Sequence, residues 1–224
     1  MPKAYGAPAV VMLLAASRPS VPVQPAPAPV EVVAAPVVAA APVAAEAAAQ
    51  PVVMTARDSV AAEAQLSSLE VRRGLERYFA RFNDDRVLTR RIATAVVRES
   101  VRQQVPSSLI AAVLVTENTT LIPHARSQVG ARGLMQVMPM HAGRLGCGSG
   151  DLVDVDSNIC HGTKILARNL RTASSHSKAL LRYNGCVRGT NTPDCWKYPS
   201  KVLKRAGRVR KELLAPIDIR VALR

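Results

Sequence analysis

The segment Ser127–Pro139 reads SQVGARGLMQVMP, and its composition changes halfway along. Its first half is polar and rich in turn-forming residues, and its second half is an apolar run that ends at Pro139, which cannot continue a helix. Gly130 and Gly133 permit tight turns or a close approach of the backbone to a ligand. The pattern predicts a loop between a helix that ends near Asn118 and a short helix over Met140–Leu145.

The helix before this loop carries an acidic residue on its apolar side. Pro106-Ser107-Ser108 opens the helix, with a serine as the expected N-cap. Four positions then follow the i, i+3, i+4, i+7 spacing of one helix face: Ile110, Val113, Leu114 and Glu117.

Glu117 has two interpretations at this stage. Desolvation and the negative end of the helix dipole both raise the pKa of a carboxyl at the end of an apolar helix. A glutamic acid that stays protonated near neutral pH can act as a general acid. The alternative is an ion pair with Arg126 or Arg132, which would make the carboxylate structural.

Helical periodicity covers most of the chain after residue 54. Further helices are expected over 57–81, 85–104, 158–172, 175–184 and 198–214. Asp156 or Ser157 is expected to cap the helix over 158–172, and Asn184-Gly185 is expected to end the helix over 175–184. No segment alternates polar and apolar residues for long, so the fold class is mainly α. Aromatic residues make up only 3% of the chain, so the core must be built from Leu, Ile, Val and Ala.

The N-terminal part differs in composition. Residues 1–17 contain Lys3 and the apolar run Ala9–Ala16, the pattern of a signal peptide, and we expect export by this segment. Residues 18–54 are rich in Pro, Ala and Val with almost no charge, so they cannot bury a core. We expect a disordered Pro/Ala-rich tether there.

The charge is strongly positive, with a formal net value of +14. Residues 1–52 contribute nothing to it, because their two basic and two acidic residues cancel. The excess attracts polyanions such as nucleic acid, anionic membrane or cell-wall polymers, and charge alone does not choose among them. No basic motif is interleaved with aromatic residues, so a specific nucleic-acid partner is not predicted.

The four cysteines, Cys147, Cys160, Cys186 and Cys195, all lie in the last third of the chain. Four cysteines allow three pairings, and loop geometry favours Cys147–Cys160 and Cys186–Cys195 without settling the question. Disulfides would indicate an oxidising compartment, and four unpaired buried thiols are the alternative.

Four elements together resemble the lytic transglycosylases of the soluble-lytic-transglycosylase (SLT) type, a lysozyme-like family. They are Glu117 at a helix end, the run Gly130–Pro139, Asn158-Ile159-Cys160-His161-Gly162, and Arg182-Tyr183-Asn184-Gly185. Their order and spacing agree over about residues 100–207. The resemblance implies a lysozyme-like helical catalytic domain over 85–214, with 55–84 as a helical lead-in and 215–224 as a tail.

The chain departs from the family pattern near both ends of the motif. Asn118 stands where the family has serine, one extra residue lies between Glu117 and Ser127, and Leu121 replaces a common aromatic residue. After Tyr183-Asn184 the usual small residue and glycine are Gly185 and Cys186. These differences affect the shape of the sugar-binding subsites.

The resemblance also implies the site residues and the reaction. Glu117 would be the catalytic acid and then the base in cleaving the MurNAc–GlcNAc β-1,4 bond, with formation of 1,6-anhydro-MurNAc. Substrate-binding roles fall on Ser127, Gln136, Met138, Tyr183 and Asn184. Tyr183 is expected to orient Glu117 or the N-acetyl carbonyl, and core packing is an equal alternative for Met138.

The distribution of acidic residues agrees with a reaction that needs one carboxylate. No Asp or Glu occurs between Glu117 and Gly150, and helix capping or solvent exposure is the expected role of Asp151, Asp154, Asp156 and Asp194. Most glycosidases use two carboxylates. The rival hypotheses are a hydrolytic lysozyme on the same fold and a non-catalytic wall-binding module.

Partners and location follow from these expectations. The four histidines are scattered, so we predict no metal and no cofactor. Trp196 and Tyr198 are expected either to form a sugar-stacking platform or to anchor the last helix in the core. We expect a monomer, periplasmic or secreted, that acts on peptidoglycan glycan strands, and secretion, pilus or phage machinery are the candidate partners.

Overall fold

A computed structural model describes residues 56–186 and 194–215, with side chains from residue 61 onward. Seven α-helices follow in order: α1 Ala56–Gln65, α2 Ser68–Phe79, α3 Arg86–Gln103, α4 Ser107–Glu117, α5 Val155–Thr172, α6 His176–Asn184 and α7 Tyr198–Leu214. Two 3₁₀ turns cover Pro139–His141 and Cys195–Lys197. The mainly α prediction is confirmed. The predicted signal peptide, the tether and tail residues 216–224 lie outside the described residues.

The described helices are too short or too polar to cross a membrane. Extended pairing in the same part of the chain is limited to two isolated bridges, in which Arg132 pairs with Arg126 and with Val137. Both bridges fall within the loop that precedes Pro139, so the loop has a fixed shape.

Three predicted boundaries were wrong, two because of capping residues and one because of a glycine. The helix expected over 57–81 is two helices, because Ser67 and Glu70 form a reciprocal capping box that starts α2. Helix α5 begins at Val155, because Asp154 rather than Asp156 or Ser157 caps it. The helix expected over 140–145 is only the turn Pro139–His141, and Gly143 follows it with a positive φ of 70°.

Helix α4 is the centre of the core. Its residues Ser107–Val115 are all buried, and α4 packs against α7 and α3. Ile110, Val113 and Leu114 are buried, as their shared face predicts, and the burial extends round the whole helix, since a helix that is apolar all round lies inside a protein. Leu75 and Phe79 of α2 are fully buried in the same core, so the lead-in packs as part of the domain.

The N-terminus of α4 is capped by another helix and not by its own serine. The carboxylate of Glu63, on α1, accepts hydrogen bonds from the Ser108 backbone nitrogen at 2.9 Å and from the Ser108 Oγ at 2.6 Å. Arg210 of α7 donates to the same carboxylate at 3.0 Å. This buried cluster satisfies an orphan N–H group at the start of the helix and connects α1, α4 and α7.

Both favoured disulfides are present, and the described residues contain no free cysteine. Cys147–Cys160 joins the loop after the 3₁₀ turn to α5. Cys186–Cys195 joins the end of α6 to the start of α7, next to the residues that bear on Glu117. The pairing left open by the sequence is thereby resolved.

Removing the first disulfide is expected to destabilise the domain. In Cys147→Ser/Cys160→Ser the unfolded chain regains the freedom of a loop that the bond closes across 13 positions, so the free energy of unfolding falls by about 3 kcal/mol. Denaturant titration of the variant against the oxidised parent measures this loss. Coincident unfolding midpoints would contradict a stabilising role.

Candidate active site

Glu117 is the last residue of α4, where the buried core meets the surface. The Tyr198 hydroxyl, from the first turn of α7, donates a hydrogen bond to Glu117 Oε1 at 2.5 Å. Burial raises the pKa of Glu117, while the Tyr198 hydrogen bond and the Lys201 charge act in the opposite direction. The net effect is upward, so this carboxyl keeps its proton to a higher pH than an exposed glutamate does.

Neither of the arginines considered from sequence pairs with Glu117. In the described part of the chain Glu117 forms no salt bridge, and the two side chains that lower its pKa are Tyr198 and Lys201, neither of which is an arginine. The structural ion-pair alternative is therefore wrong for these residues.

All four aspartates considered from the sequence have structural partners. Asp154 caps α5 and pairs with Arg91, and Asp156 pairs with Arg91 and Arg98 of α3. Asp151 accepts a hydrogen bond from the Val153 backbone, and Asp194 pairs with Lys197. These contacts agree with the capping and surface roles expected from the sequence.

The loop that carries the Gly-Leu-Met-Gln run is held by one buried amide. Asn158 of α5 accepts from the Met135 nitrogen at 2.7 Å and donates to the carbonyl oxygens of Arg132 and Leu152 at 2.9 and 2.8 Å. Gly133 lies against this amide with φ +77°, and a Cβ there would come within 2.3 Å of Asn158 Nδ2. The Asn158 side chain thus fixes the loop, and only glycine fits beside it.

Tyr183 reaches the same loop from α6. Its hydroxyl donates to the Met135 carbonyl at 3.0 Å, and not to Glu117 as one of the expected roles would require. Burial and the charge of Glu117 raise the pKa of Tyr183 well above its ordinary value, so the hydroxyl remains a donor. Gly162, one turn beyond Asn158, makes room for Met135, whose Sδ would be 2.6 Å from a Cβ at that position.

The remaining expected site residues shape the loop or lie at its surface. Ser127 Oγ accepts from the Ala131 nitrogen at 3.0 Å, and Gln136 Nε2 donates to the Gly133 carbonyl at 2.9 Å. Met138 is 37% exposed, which excludes it from the core and leaves it available as an apolar wall. Asn184 is half-buried at the last position of α6.

Comparison with known proteins places this arrangement in a family. A sequence model described as the Transglycosylase SLT domain matches residues 95–197, which contain Glu117, the loop and both later motifs. Residues 95–197 are an SLT domain. A protein named transglycosylase from Enterobacteria phage PRD1 is 37% identical over 110 residues. That alignment covers 47% of this chain and 39% of the phage protein, so the chain spans less than half of the relative's length.

The departures from the family pattern that follow Glu117 lie inside one tight loop of the SLT domain. Asn118 donates to the Ile122 carbonyl at 2.8 Å, and its Oδ1 accepts from the Ile122 nitrogen at 3.2 Å. Leu121 is fully buried with a φ of +54°. The side chain of Asn118 therefore closes the extra residue into a turn, and Leu121 fills the space beneath it.

The partner of Glu117 lies one residue beyond the SLT domain and was not predicted from the sequence. Tyr198 is buried and bonds to the carboxylate, whereas Trp196 is 68% exposed and lies near the Lys197 ammonium, so the two do not form a joint platform. The position of Tyr198, directly after the Cys195 disulfide and at the start of a helix, was the available signal. Burial and the Glu117 charge keep the pKa of Tyr198 well above its ordinary value.

His161 has a structural position in the SLT domain. It is fully buried, its Nδ1 lies 2.8 Å from the Ser157 carbonyl, and its Nε2 accepts from the Gly143 nitrogen at 3.2 Å. A carbonyl can only accept and a backbone N–H can only donate, so the proton is on Nδ1. The described residues contain no group of three or more histidine, cysteine or acidic side chains that could hold a metal ion.

Tyr198→Phe is expected to slow glycan cleavage about tenfold, the effect of losing one hydrogen bond to a charged group. Because this bond favours the carboxylate form, its loss raises the Glu117 pKa further, and the alkaline limb of the pH–rate profile moves to higher pH. Tyr78→Phe is the control, since Tyr78 is buried on α2 and its hydroxyl faces Arg205. An alkaline limb that stays in place or moves down would refute the assignment.

Proposed function

We propose that the SLT domain is a peptidoglycan lytic transglycosylase. The observation that carries the proposal is Glu117, a single carboxyl group, largely buried, with a raised pKa and a hydrogen bond from Tyr198. It lies beside a loop fixed by Asn158 and Tyr183. The family match and the phage relative's name support the same class of reaction.

In the first step protonated Glu117 gives its proton to the glycosidic oxygen between MurNAc and GlcNAc. The bond from that oxygen to the MurNAc anomeric carbon breaks, and the carbonyl oxygen of the MurNAc N-acetyl group assists at this carbon. Glu117 is now a carboxylate that accepts the Tyr198 hydrogen bond.

In the second step this carboxylate takes the proton of the MurNAc C6 hydroxyl. The C6 oxygen bonds to the anomeric carbon and closes the 1,6-anhydro ring, which displaces the acetamido oxygen. Glu117 ends protonated as it began, and no water molecule is consumed. One carboxyl group therefore serves both steps, provided that both of its forms are accessible near the working pH.

The two opposing influences on Glu117 fit this double role. Burial favours the neutral acid required by the first step, while Tyr198 and Lys201 favour the anion required by the second. The acid form is lost as pH rises through the raised pKa, so the rate falls on the alkaline side. An exposed glutamate would lose it from about pH 4.3 upward.

The test of catalysis uses purified peptidoglycan sacculi. The full chain is expected to clear a suspension, and Glu117→Gln is expected to bind the sacculi without clearing them. A wild-type protein that binds but never clears would overturn the proposal in favour of a wall-binding module. Reducing MurNAc ends in the soluble products would instead indicate a hydrolytic lysozyme.

The setting of the reaction is part of the same proposal. Two disulfides support a periplasmic or secreted protein, because disulfides form and persist in oxidising compartments. The site residues favour a glycan strand as the binding partner. A role beside phage machinery is supported by the source of the PRD1 relative, and secretion or pilus machinery remains a prediction from the sequence.

A further inference from the structure

Helix α7 presents a continuous stripe of positive charge. Its members, Lys197 just before the helix and Lys201, Lys204, Arg208 and Lys211 within it, recur at intervals of four and three residues and are all exposed. Side chains at this spacing share one face of a helix. We call this set the basic stripe.

The charges of the basic stripe are largely unneutralised. Lys197 pairs with Asp194 at 2.9 Å, and across residues 61–186 and 194–215 the other four members make no salt bridge. The acidic residue of α7, Glu212, pairs instead with Arg77 of α2 and with Arg81 in the turn that follows it. The helix thus directs its acid toward the domain and the basic stripe toward solvent.

The inner bases of α7 are used differently. Arg205 donates to the Val115 carbonyl of α4, and Arg210 binds the buried Glu63. These two arginines form hydrogen bonds within the domain. The side chains of the basic stripe from Lys201 onward form no hydrogen bond or salt bridge with the described residues. Packing of the domain therefore does not account for the stripe.

The stripe begins beside Glu117. Tyr198, in the same turn of α7 as Lys201, bonds to the carboxylate, and the Lys201 charge acts on it. From Lys201 to Lys211 the helix rises about 15 Å. A polymer bound at Glu117 therefore has a line of positive charges running from its cleavage point.

We propose that the basic stripe binds the carboxylates on the peptide branches of the glycan strand that Glu117 cleaves. The inference rests on the proposed function, because the occupant must be the polymer that already lies in the site. Ammonium and guanidinium groups pair with carboxylates, and several branches on one strand can meet several bases. Continuity with Glu117 favours this polymer over nucleic acid or anionic lipid.

The experiment compares two triple variants of the full chain with equal loss of charge. Lys204→Gln/Arg208→Gln/Lys211→Gln removes the outer stripe and leaves Lys201 in place. Arg73→Gln/Arg171→Gln/Lys178→Gln removes three exposed bases from α2, α5 and α6. Each is assayed on native sacculi and on sacculi whose carboxylates have been amidated with carbodiimide and ammonium.

The stripe variant is expected to cleave native sacculi about tenfold less efficiently at low salt, the combined effect of three exposed ion pairs. The control variant is expected to match the parent. On amidated sacculi all three proteins should cleave at similar rates. The difference on native sacculi should shrink at high salt, because exposed charges are screened.

The outcomes separate this inference from the proposed function. Cleavage of neither substrate by the parent would sink the proposed function. Cleavage of both with equal rates for the two triple variants on native sacculi would overturn the stripe assignment alone. A stripe variant that lost binding to duplex DNA or anionic vesicles, yet cleaved native sacculi normally, would also overturn it.

Discussion

Glu117→Gln is expected to reduce the rate of glycan cleavage by about three orders of magnitude, the middle of the range for loss of a general acid. The amide keeps the shape of the side chain and can still accept the Tyr198 hydrogen bond, but it has no proton to give to the glycosidic oxygen. It also cannot take the proton of the C6 hydroxyl. Initial rates of soluble glycan release from sacculi measure the loss.

The same variant should show that its fold is intact. Because burial raises the Glu117 pKa, the native state holds this proton more tightly than the unfolded chain does. The stability of the parent then falls as pH rises between the ordinary value of 4.5 and the raised pKa. Glu117→Gln removes this penalty, so it should be the more stable protein above that window and equal to the parent below pH 4.5. A less stable variant at neutral pH would contradict the burial argument.

Gly133→Ala is expected to lower the free energy of unfolding by about 3 kcal/mol, as much as removal of the first disulfide. Part of the loss is the left-handed backbone at φ +77°, which costs an alanine about 1–2 kcal/mol. The rest is steric, because the new methyl group would lie 2.4 Å from the Leu152 carbonyl and closer still to Asn158. Since the displaced Asn158 holds the loop beside Glu117, cleavage should fall as well.

Gly130→Ala is the matched control for this change. Gly130 belongs to the same loop and has a similar φ of +89°, but a Cβ there meets no atom within 4 Å. In Gly130→Ala the free energy of unfolding should therefore fall only by the cost of the left-handed backbone. The difference in unfolding free energy between the two variants measures the steric contact with Asn158. Equal unfolding free energies for the two variants would show that this contact does not fix the loop.

Much of the architecture was predictable because it depends on local periodicity. The positions of α3, α4 and α7 follow the spacing of their apolar residues, and the pairing Cys147–Cys160 follows from short loop length. Start points were less predictable, because Ser67 and Asp154 compete with other capping residues nearby. The capping box of Ser67 and Glu70 is nevertheless a local pattern, and it marks the break within residues 57–81.

The contacts that shape the site are the part that sequence could not supply. Glu63 caps a helix 45 residues away, and Tyr198 bonds to a carboxylate 81 residues away. Neither sequence separation corresponds to the periodicity of a helix or a strand. The motif Asn158–Gly162 identified Asn158 in the sequence. The role of its side-chain amide depends on how α5 packs against the loop. Long-range polar contacts of this kind follow from packing and not from local pattern.

Cleavage of the glycan by Glu117 is expected to proceed without water as a nucleophile. The direct measurement is mass spectrometry of the MurNAc-containing products formed by the full chain on sacculi in water enriched in heavy oxygen. We expect 1,6-anhydro-MurNAc ends that carry no heavy oxygen and weigh one water molecule less than reducing ends. Reducing MurNAc ends labelled with heavy oxygen at the anomeric position would show that water attacks that carbon, and would contradict the account.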